Sequence, residues 1–389
     1  MKKLTHIAIS VVFLIFIMAT FFVHETGMIS SKPSTENRKL AEKPTIDLNH
    51  LDKFPGLFEP YYNDHFSFRR PYIELNNKLG MKLFRKANMG GKVIVGKDNW
   101  LFEMKKDLPI YLSKKTFTQH QLEKIEEELT NRIEYFDELG IKTYFLICPS
   151  KYSIYPEKLP MFLQHGNMKQ TDQFIGLLDE IEGAVYVDGR ESLRRVKDEH
   201  TVYLKYDTHW NRLGTYFAVT DLIKKIKIDF PSVPDYSLND WIIDTSDVTS
   251  GNLMWMIGKD KGYSEPEYTL NILNQKVTKL SGYQHPKTDD FPYKQYDYCR
   301  RRSSTVPVTD SLDVLLFHDS YAVAARPFLP YYFSNTLFIW DSWKYKFNKE
   351  IVDYEKPDIL IYWMYEGFID RILLEPSFVE PDSIDSGLQ

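Results

Sequence analysis

Two short segments carry residue types that together could run acyl chemistry. In the first, Phe317-His318-Asp319-Ser320-Tyr321, a serine follows the apolar run 314–317 and precedes a helix expected over 322–330. A strand-to-helix turn lifts a hydroxyl out of the fold and sets it where helix amides can meet a developing oxyanion. In the second, Tyr206-Asp207-Thr208-His209-Trp210, a carboxylate and an imidazole stand two positions apart at the mouth of another expected helix. A serine becomes nucleophilic when a base takes its proton, and the base keeps the useful tautomer when a carboxylate holds its far nitrogen. Ser320, His209 and Asp207 supply those three types. The same residues also read as helix caps, Asp207 for one helix and the pair Asp319-Ser320 for the other. Spacing alone leaves that choice open. A metal reading of Asp207, His209 and His318 is weaker, because no further His/Asp/Glu cluster completes a ligand set. No metal and no cofactor are expected.

These segments need strands and helices to deliver them. Thr118 with Gln121 forms a possible capping box, after which Leu122, Ile125, Leu129, Ile133 and Phe136 recur at helical spacing until Gly140. The runs 143–148, 184–188, 314–317, 337–339 and 359–362 read as buried strands, and 174–181 and 211–226 as helices between or beside them. Earlier, 93–95 and 100–102 flank the turn Gly96-Lys97-Asp98-Asn99 as a hairpin. Strands alternating with helices argue an α/β fold with a mostly parallel sheet covered on both faces, whose ligands sit beyond the carboxyl ends of its strands. Between about 228 and 310 the pattern gives way to polar, Tyr-rich sequence punctuated by proline, read as an accessory insertion. Its dense basic cluster, Arg300-Arg301-Arg302, reads as solvated loop charge or as a contact for an anionic glycan or lipid headgroup.

The amino terminus sets the compartment. Lys2 and Lys3 precede residues 7–23, a run without charge at the short end of the roughly 17 to 25 residues that cross a bilayer. That order predicts a transmembrane signal anchor over 1–27 with its N-terminus in the cytoplasm and everything beyond it outside the membrane. A cleaved signal peptide is the rival, although no small-x-small site follows Val23. Residues 28–85 read as a stalk and N-terminal flank, aromatic from Phe58 on, and 86–380 as the catalytic domain. The chain has 389 residues, and 49 Lys plus Arg stand against 54 Asp plus Glu, so a net charge of -5 offers no field to gather nucleic acid. Cys148 and Cys299 are too few for a disulfide framework and lack the spacing of a zinc or redox pair.

Several motifs occur together in a telling order. They are Gly96-Lys97-Asp98-Asn99-Trp100-Leu101-Phe102, Pro149-Ser150-Lys151 with Tyr155-Pro156-Glu157-Lys158-Leu159-Pro160, Tyr206 to Asn211, Ser250-Gly251-Asn252-Leu253 and His318-Asp319-Ser320-Tyr321. In this order they resemble the SGNH-hydrolase-like domain of the alginate O-acetyltransferase family. They also resemble the related DHHW proteins of bacterial surface-polysaccharide loci. The flanks Glu36-Asn37-Arg38-Lys39-Leu40 and Tyr61-Tyr62-Asn63-Asp64-His65-Phe66 extend the likeness to about 36–375.

The resemblance implies an SGNH-like domain whose Asp-x-His element precedes its serine. It makes Ser320 the nucleophile, His209 the general base and Asp207 the carboxylate that orients it. His318 stands where the family carries the glycine of Gly-Asp-Ser, and Gly251-Asn252-Leu253 where relatives often have Gly-Asp-Leu. Asn252 then either donates to an oxyanion or closes a loop. The implied activity is O-acetylation of a cell-surface or secreted polysaccharide through an acetyl-serine, the acetyl group coming from a membrane-bound O-acyltransferase partner. If water attacks instead of a sugar, the same apparatus is an acetylesterase; a noncatalytic glycan-binding or assembly protein would keep only the fold. Trp210, Tyr321, Trp340, Trp343 and Trp363 are candidate sugar-stacking surfaces or core. Glu366 and Arg371 either support the site or form a surface ion pair.

Overall fold

A computed structural model of the chain describes residues 41–48, 50–66 and 92–381, together with scattered residues between 6 and 26. Breaks fall at 162, 164, 167–168, 250, 258–262, 273–276, 280–291, 294–295, 304–310 and 342. The chain divides into two units. One comprises Met1–Val95 with Asn252–Tyr263, the other Gly96–Gly251 with Ser264–Gln389.

In the first unit, the anchor expected over 1–27 falls largely outside the described residues. Among those described, no helix is long and apolar enough to cross a membrane. A helix spans Phe54–His65, beginning inside the segment read as stalk. Proline in its first turn suits a position whose N–H has no helical partner. Rings four residues apart then pack along one side, Phe54 with Phe58 at 5.5 Å and Phe58 with Tyr62 at 6.0 Å. The helix-like segment 73–79 and the flank 36–40 lie outside the described residues. A strand, β1 (Val93–Val95), closes this stretch, and the short helix Asn252–Met256 completes the unit.

The second unit carries the chemistry. β2 (Leu101–Glu103) follows a turn in which Asp98 and Asn99 take left-handed backbone, φ 54° and 60°. Helix α1 (Gln119–Glu138) starts with the anticipated box: the Gln121 amide donates to Thr118 Oγ1 at 3.2 Å, and the Thr118 amide to Gln121 Oε1 at 3.0 Å. Its stripe Ile125, Leu129, Ile133 and Phe136 is buried, and Gly140 leaves the helix region at φ 75°. β3 (Lys142–Cys148), α2 (Gln170–Glu180) and β4 (Val185–Asp188) form the next cycle, and α3 (Arg212–Asp229) packs on β3 and β4.

After a two-stranded antiparallel ribbon, β5 (Trp241–Val248) with β6 (Glu265–Ile272), come β7 (Val277–Lys279), β8 (Asp297–Ser303), β9 (Asp313–His318), β10 (Asn335–Trp340), helix α4 (Lys349–Glu355) and β11 (Ile359–Tyr365). The main sheet runs β4-β3-β11-β9-β10-β8-β7. Its five strands from β4 to β10 are parallel, while β8 and β7 are antiparallel, so the sheet is mixed. β11 is buried along its whole length, as its unbroken apolar run demands of a central parallel strand. The parallel strands end at one edge, where β3, β9 and β11 hand over to Pro149, Asp319 and Glu366.

The region 228–310, read as an accessory insertion, contributes a strand to the main sheet: β8 pairs with β10 from Asn335↔Arg302 to Trp340↔Asp297. Its charged sequence hid a strand near the sheet's edge, where burial is incomplete. Arg300 is accordingly neither solvated nor poised for a glycan: it is 7% exposed and bonded to Glu355 and to the Tyr293 hydroxyl. The helix expected over 322–330 is instead two short 3-10 segments, Ser320–Ala325 and Leu329–Tyr332. Pro327 and Pro330 remove the amides a continuous helix needs.

Candidate active site

Ser320 opens its 3-10 segment directly after β9, and Asp319 caps it. Asp319 Oδ1 accepts from the Tyr321 amide at 2.8 Å, and Oδ2 accepts from the Tyr345 hydroxyl at 2.8 Å and the Tyr365 amide at 2.6 Å. The turn that presents the serine is thus pinned to the end of the neighbouring strand β11. Burial pushes the Asp319 carboxyl up to about 6, while these three donors pull it the other way. Tyr345 is itself held from behind, its carbonyl accepting from Arg132 at 2.5 Å and Arg132 pairing with Glu128 at 2.7 Å, both fully buried on α1.

The acidic segment arrives from the other side. Asn211 caps α3 by accepting from the Gly214 amide at 2.8 Å, which sets the direction of the residues before it. Glu265 on β6 accepts from the Lys205 and Tyr206 amides, the latter at 3.0 Å. From beneath, the buried Lys151 ammonium donates to the carbonyls of Leu101 at 3.0 Å, Lys205 at 3.2 Å and Asp207. Burial pulls this ammonium down to about 7. Gly251 lies so close that a Cβ there would stand 2.2 Å from the Tyr206 oxygen and 3.0 Å from the Asp207 nitrogen.

Between these two turns the three residues meet. His209 Nε2 is 2.8 Å from Ser320 Oγ, and His209 Nδ1 is 2.6 Å from Asp207 Oδ1, which also accepts from the His209 amide at 3.0 Å. The carboxylate assigns the ring proton to Nδ1 and leaves Nε2 to accept from the serine hydroxyl. The His209 side chain is 29% exposed, open enough for a reacting group to approach.

Trp210 and Tyr321 fasten the two turns together. Trp210 Nε1 donates to the Tyr321 carbonyl and the Tyr321 hydroxyl to the Thr208 carbonyl, each at 2.9 Å. The Tyr321 ring stacks on Tyr365 at 4.3 Å and lies 4.7 Å from the His209 ring. With Trp210 1% and Tyr321 3% exposed, neither offers a face to a sugar, and Trp363 is fully buried in β11. They are framework rather than stacking surfaces. Trp340, in register with His318, and Trp343 remain half-buried and meet edge-on at 5.5 Å.

Glu366 and Arg371 form no surface ion pair. Glu366 is 1% exposed and accepts from the Ser150 amide at 2.8 Å, Ser153 Oγ at 2.9 Å and Thr171 Oγ1 at 3.1 Å, tying the end of β11 to the turn after β3. Arg371 instead covers the Phe368 ring at 4.3 Å. Asn252 heads the short helix of the first unit. Burial holds His318 neutral, down to about 3; its Nδ1 donates to the Asp319 carbonyl at 2.6 Å. Cys148 and Cys299 are free thiols. Lys151, Glu265 and the clamping role of Asp319 escaped the sequence reading; a lysine directly after a strand-ending Pro-Ser was the one visible sign.

The family described as "SGNH hydrolase-like domain, acetyltransferase AlgX" matches residues 93–288, just over half of the chain. The chain belongs to this family. The match takes in Asp207 and His209 and ends before Ser320. Among similar proteins is the probable alginate O-acetylase AlgJ of Pseudomonas aeruginosa, 30% identical over 167 residues that cover 42% of this chain and 39% of that protein. The probable alginate O-acetylase AlgJ of Azotobacter vinelandii is 24% identical over 172 residues, 44% of this chain and 42% of that protein. The chain thus spans about two-fifths of the length of these curated relatives. In fold it is similar to Bacillus cereus PatB1, with a TM-score of 0.50 at 14% identity over 71% of this chain and 96% of that one. The α/β fold with its mixed sheet is that of SGNH-like proteins.

Proposed function

We propose that this chain is a polysaccharide O-acetyltransferase working through an acetyl-serine. The observation that carries the reading is the continuous path Asp207–His209–Ser320, with 2.6 Å and 2.8 Å links, at the carboxyl edge of the sheet. Ser320 Oγ attacks the acetyl carbonyl as His209 Nε2 takes the hydroxyl proton. The tetrahedral intermediate expels the donor's leaving group, which takes that proton, and acetyl-Ser320 remains. An acceptor hydroxyl then attacks, His209 removes its proton, and collapse releases the acetylated sugar while the proton returns to Ser320. The Ser320 amide and a second donor stabilise the oxyanion.

The likeness to AlgJ supports a polysaccharide as acceptor. Half-buried Trp340 and Trp343, at the end of the strand beside β9, suit a sugar face. The charge pattern before and within residues 7–23 supports a membrane anchor that leaves the site extracytoplasmic. No acetyl-CoA circulates there, so the donor is a membrane-bound O-acyltransferase partner.

The test supplies the full chain with a chromogenic acetyl ester, with and without oligosaccharides, beside Ser320→Ala. Serine-dependent mass gain of one acetyl group on the glycan is expected. Acetate release with no glycan gain would make the chain an esterase, and wild type equal to Ser320→Ala in both would leave a binding protein.

A further inference from the structure

The proposed nucleophile has little helix behind it. Ser320 opens a 3-10 segment of six residues, in which the Ala322 amide reaches the Asp319 carbonyl and the Arg326 amide the Val323 carbonyl only at 3.3 Å. So short a segment, stopped by Pro327, holds its first residue loosely. The Asp319 side chain therefore fixes the direction of the serine, and what fixes Asp319 lies 26 residues further on, at Tyr345. There a hydroxyl, a carboxylate and an amide meet. Asp319 Oδ2 accepts from the Tyr345 hydroxyl at 2.8 Å and from the Tyr365 amide at 2.6 Å, and that amide also donates to the Tyr345 oxygen at 3.1 Å. With an N–H aimed at its oxygen, the hydroxyl turns its own proton to the carboxylate. Burial and the adjoining Asp319 charge push the Tyr345 hydroxyl well above its ordinary range, so it stays a donor. Both side chains are wholly buried, where a lost partner is costly.

Tyr345 reaches Asp319 from an unusual backbone. Loop 341–348 is left-handed at Trp343, Tyr345 and Asn348, with φ of 62°, 48° and 48°. Bulky residues seldom adopt that region, and they stay there where the surroundings over-determine them. Here the surroundings act from three sides. Asp341 accepts from the Lys346 amide at 3.0 Å and closes the loop on itself. Lys344 and Lys346, on either side of Tyr345, both pair with Glu375. Arg132 donates to the Tyr345 carbonyl, and its partner Glu128 also accepts from the Ser377 amide at 2.9 Å and the Phe378 amide at 2.7 Å. Segment 375–378 thus straps the loop from Glu375 to Glu128, with the Phe378 ring 5.0 Å from Phe347. Filling a core needs no left-handed tyrosine; delivering a hydroxyl to one carboxylate oxygen does.

We infer that Tyr345 is a positioning residue for Ser320, acting through Asp319 and held for that task by Arg132. The inference rests on the acetyl-serine reading above and deepens it. His209 takes the serine proton, and a buried hydroxyl on another loop sets where the serine stands when it does.

The reactivity of the serine is read directly with phenylmethanesulfonyl fluoride, whose sulfur Ser320 Oγ attacks as fluoride leaves, with the labelled residue and fraction followed by mass spectrometry. The full chain is compared with Tyr345→Phe, Arg132→Lys, Asp319→Ala, the double variant of Tyr345→Phe with Asp319→Ala, and Ser320→Ala. Ser320 should label to completion in wild type and in Tyr345→Phe, but about tenfold more slowly in the variant. Turnover of a small acetyl ester should fall by the same factor in kcat, with KM nearly unchanged. Arg132→Lys keeps a charge beside Glu128 without the fork that spans to the Tyr345 carbonyl; it should lose several-fold in the same way, and it serves as the probe should Tyr345→Phe not fold. Because Tyr345 acts through Asp319, adding Tyr345→Phe to Asp319→Ala should slow labelling no further. An unchanged rate in Tyr345→Phe, or losses that multiply in the double variant, would overturn the inference. So would a smaller labelled fraction with the rate per reactive site preserved, which would reduce Tyr345 to keeping the fold. A wild type unlabelled at Ser320 would bring down the acetyl-serine reading itself, and the inference with it, whereas the other outcomes leave that reading standing.

Discussion

At the scale of single residues, the proposed chemistry depends on which nitrogen of His209 carries the proton, and Asp207 is the group that decides. Asp207→Asn keeps the size but can turn an amide N–H toward Nδ1, favouring the tautomer that cannot accept from serine. A loss of about 10⁴ in kcat is expected, with KM for a small ester nearly unchanged. A variant within tenfold of wild type would remove Asp207 from the mechanism. Lys151 acts one step further out, through the Asp207 carbonyl. Lys151→Met takes a donor from three carbonyls; that of Lys205 keeps the Leu101 amide at 3.1 Å, and the loss at those of Leu101 and Asp207 should cost about 1–3 kcal/mol each. It also removes a titration whose sign is fixed. The folded ammonium lets go of its proton at about 7, the unfolded one near 10.5, so between those values the unfolded chain binds more protons and this group's contribution to stability rises with pH. Urea denaturation across that window should show wild type gaining on Lys151→Met. Parallel curves would mean that Lys151 keeps an ordinary proton affinity.

At the scale of elements, the site depends on two turns approaching each other, and Gly251 shows how little room the approach leaves. In Gly251→Ala the new methyl must push on the Tyr206 oxygen and the Asp207 nitrogen. Displacing the acidic turn by a fraction of an ångström should cost up to about 10² in kcat through misplacement of His209, with KM nearly constant. Full activity in a correctly folded variant would show that the turn yields without consequence. The sequence foreshadowed much of this architecture, and where it did not, the reasons are physical. β3, β9, β10 and β11 are buried on both faces, so their apolar runs stand out, and the Thr118–Gln121 box announces α1. β8 stayed hidden because Asp297–Ser303 carries three arginines, of which Arg300 is buried against the Tyr293 hydroxyl and against Glu355, a partner remote in sequence. Ser320, His209 and Asp207 were legible as types beside strand or helix ends. Trp210 and Tyr321 stayed open between sugar face and core, since an aromatic beside a histidine looks the same whether it faces sugar or fastens two turns.

At the scale of the whole molecule, the serine and its base are 111 residues apart, and the family match ends between them. Everything joining them is tertiary, so the proposed activation of the hydroxyl requires β9 and the 203–210 segment to be docked. Position relative to the membrane matters in the same way. If residues 1–27 hold the chain beside the partner that brings out the acetyl group, tethering replaces a three-dimensional search with a high effective concentration. Exchanging 1–27 for a cleavable signal should therefore leave ester turnover by the purified chain intact. Acetylation of the polymer in cells should fall several-fold at equal protein level and recover when an unrelated single-span anchor is attached. Unchanged acetylation without an anchor would remove the tether from the mechanism. Recovery only with the native 1–27 would show that this segment recognises the partner rather than merely confining the domain.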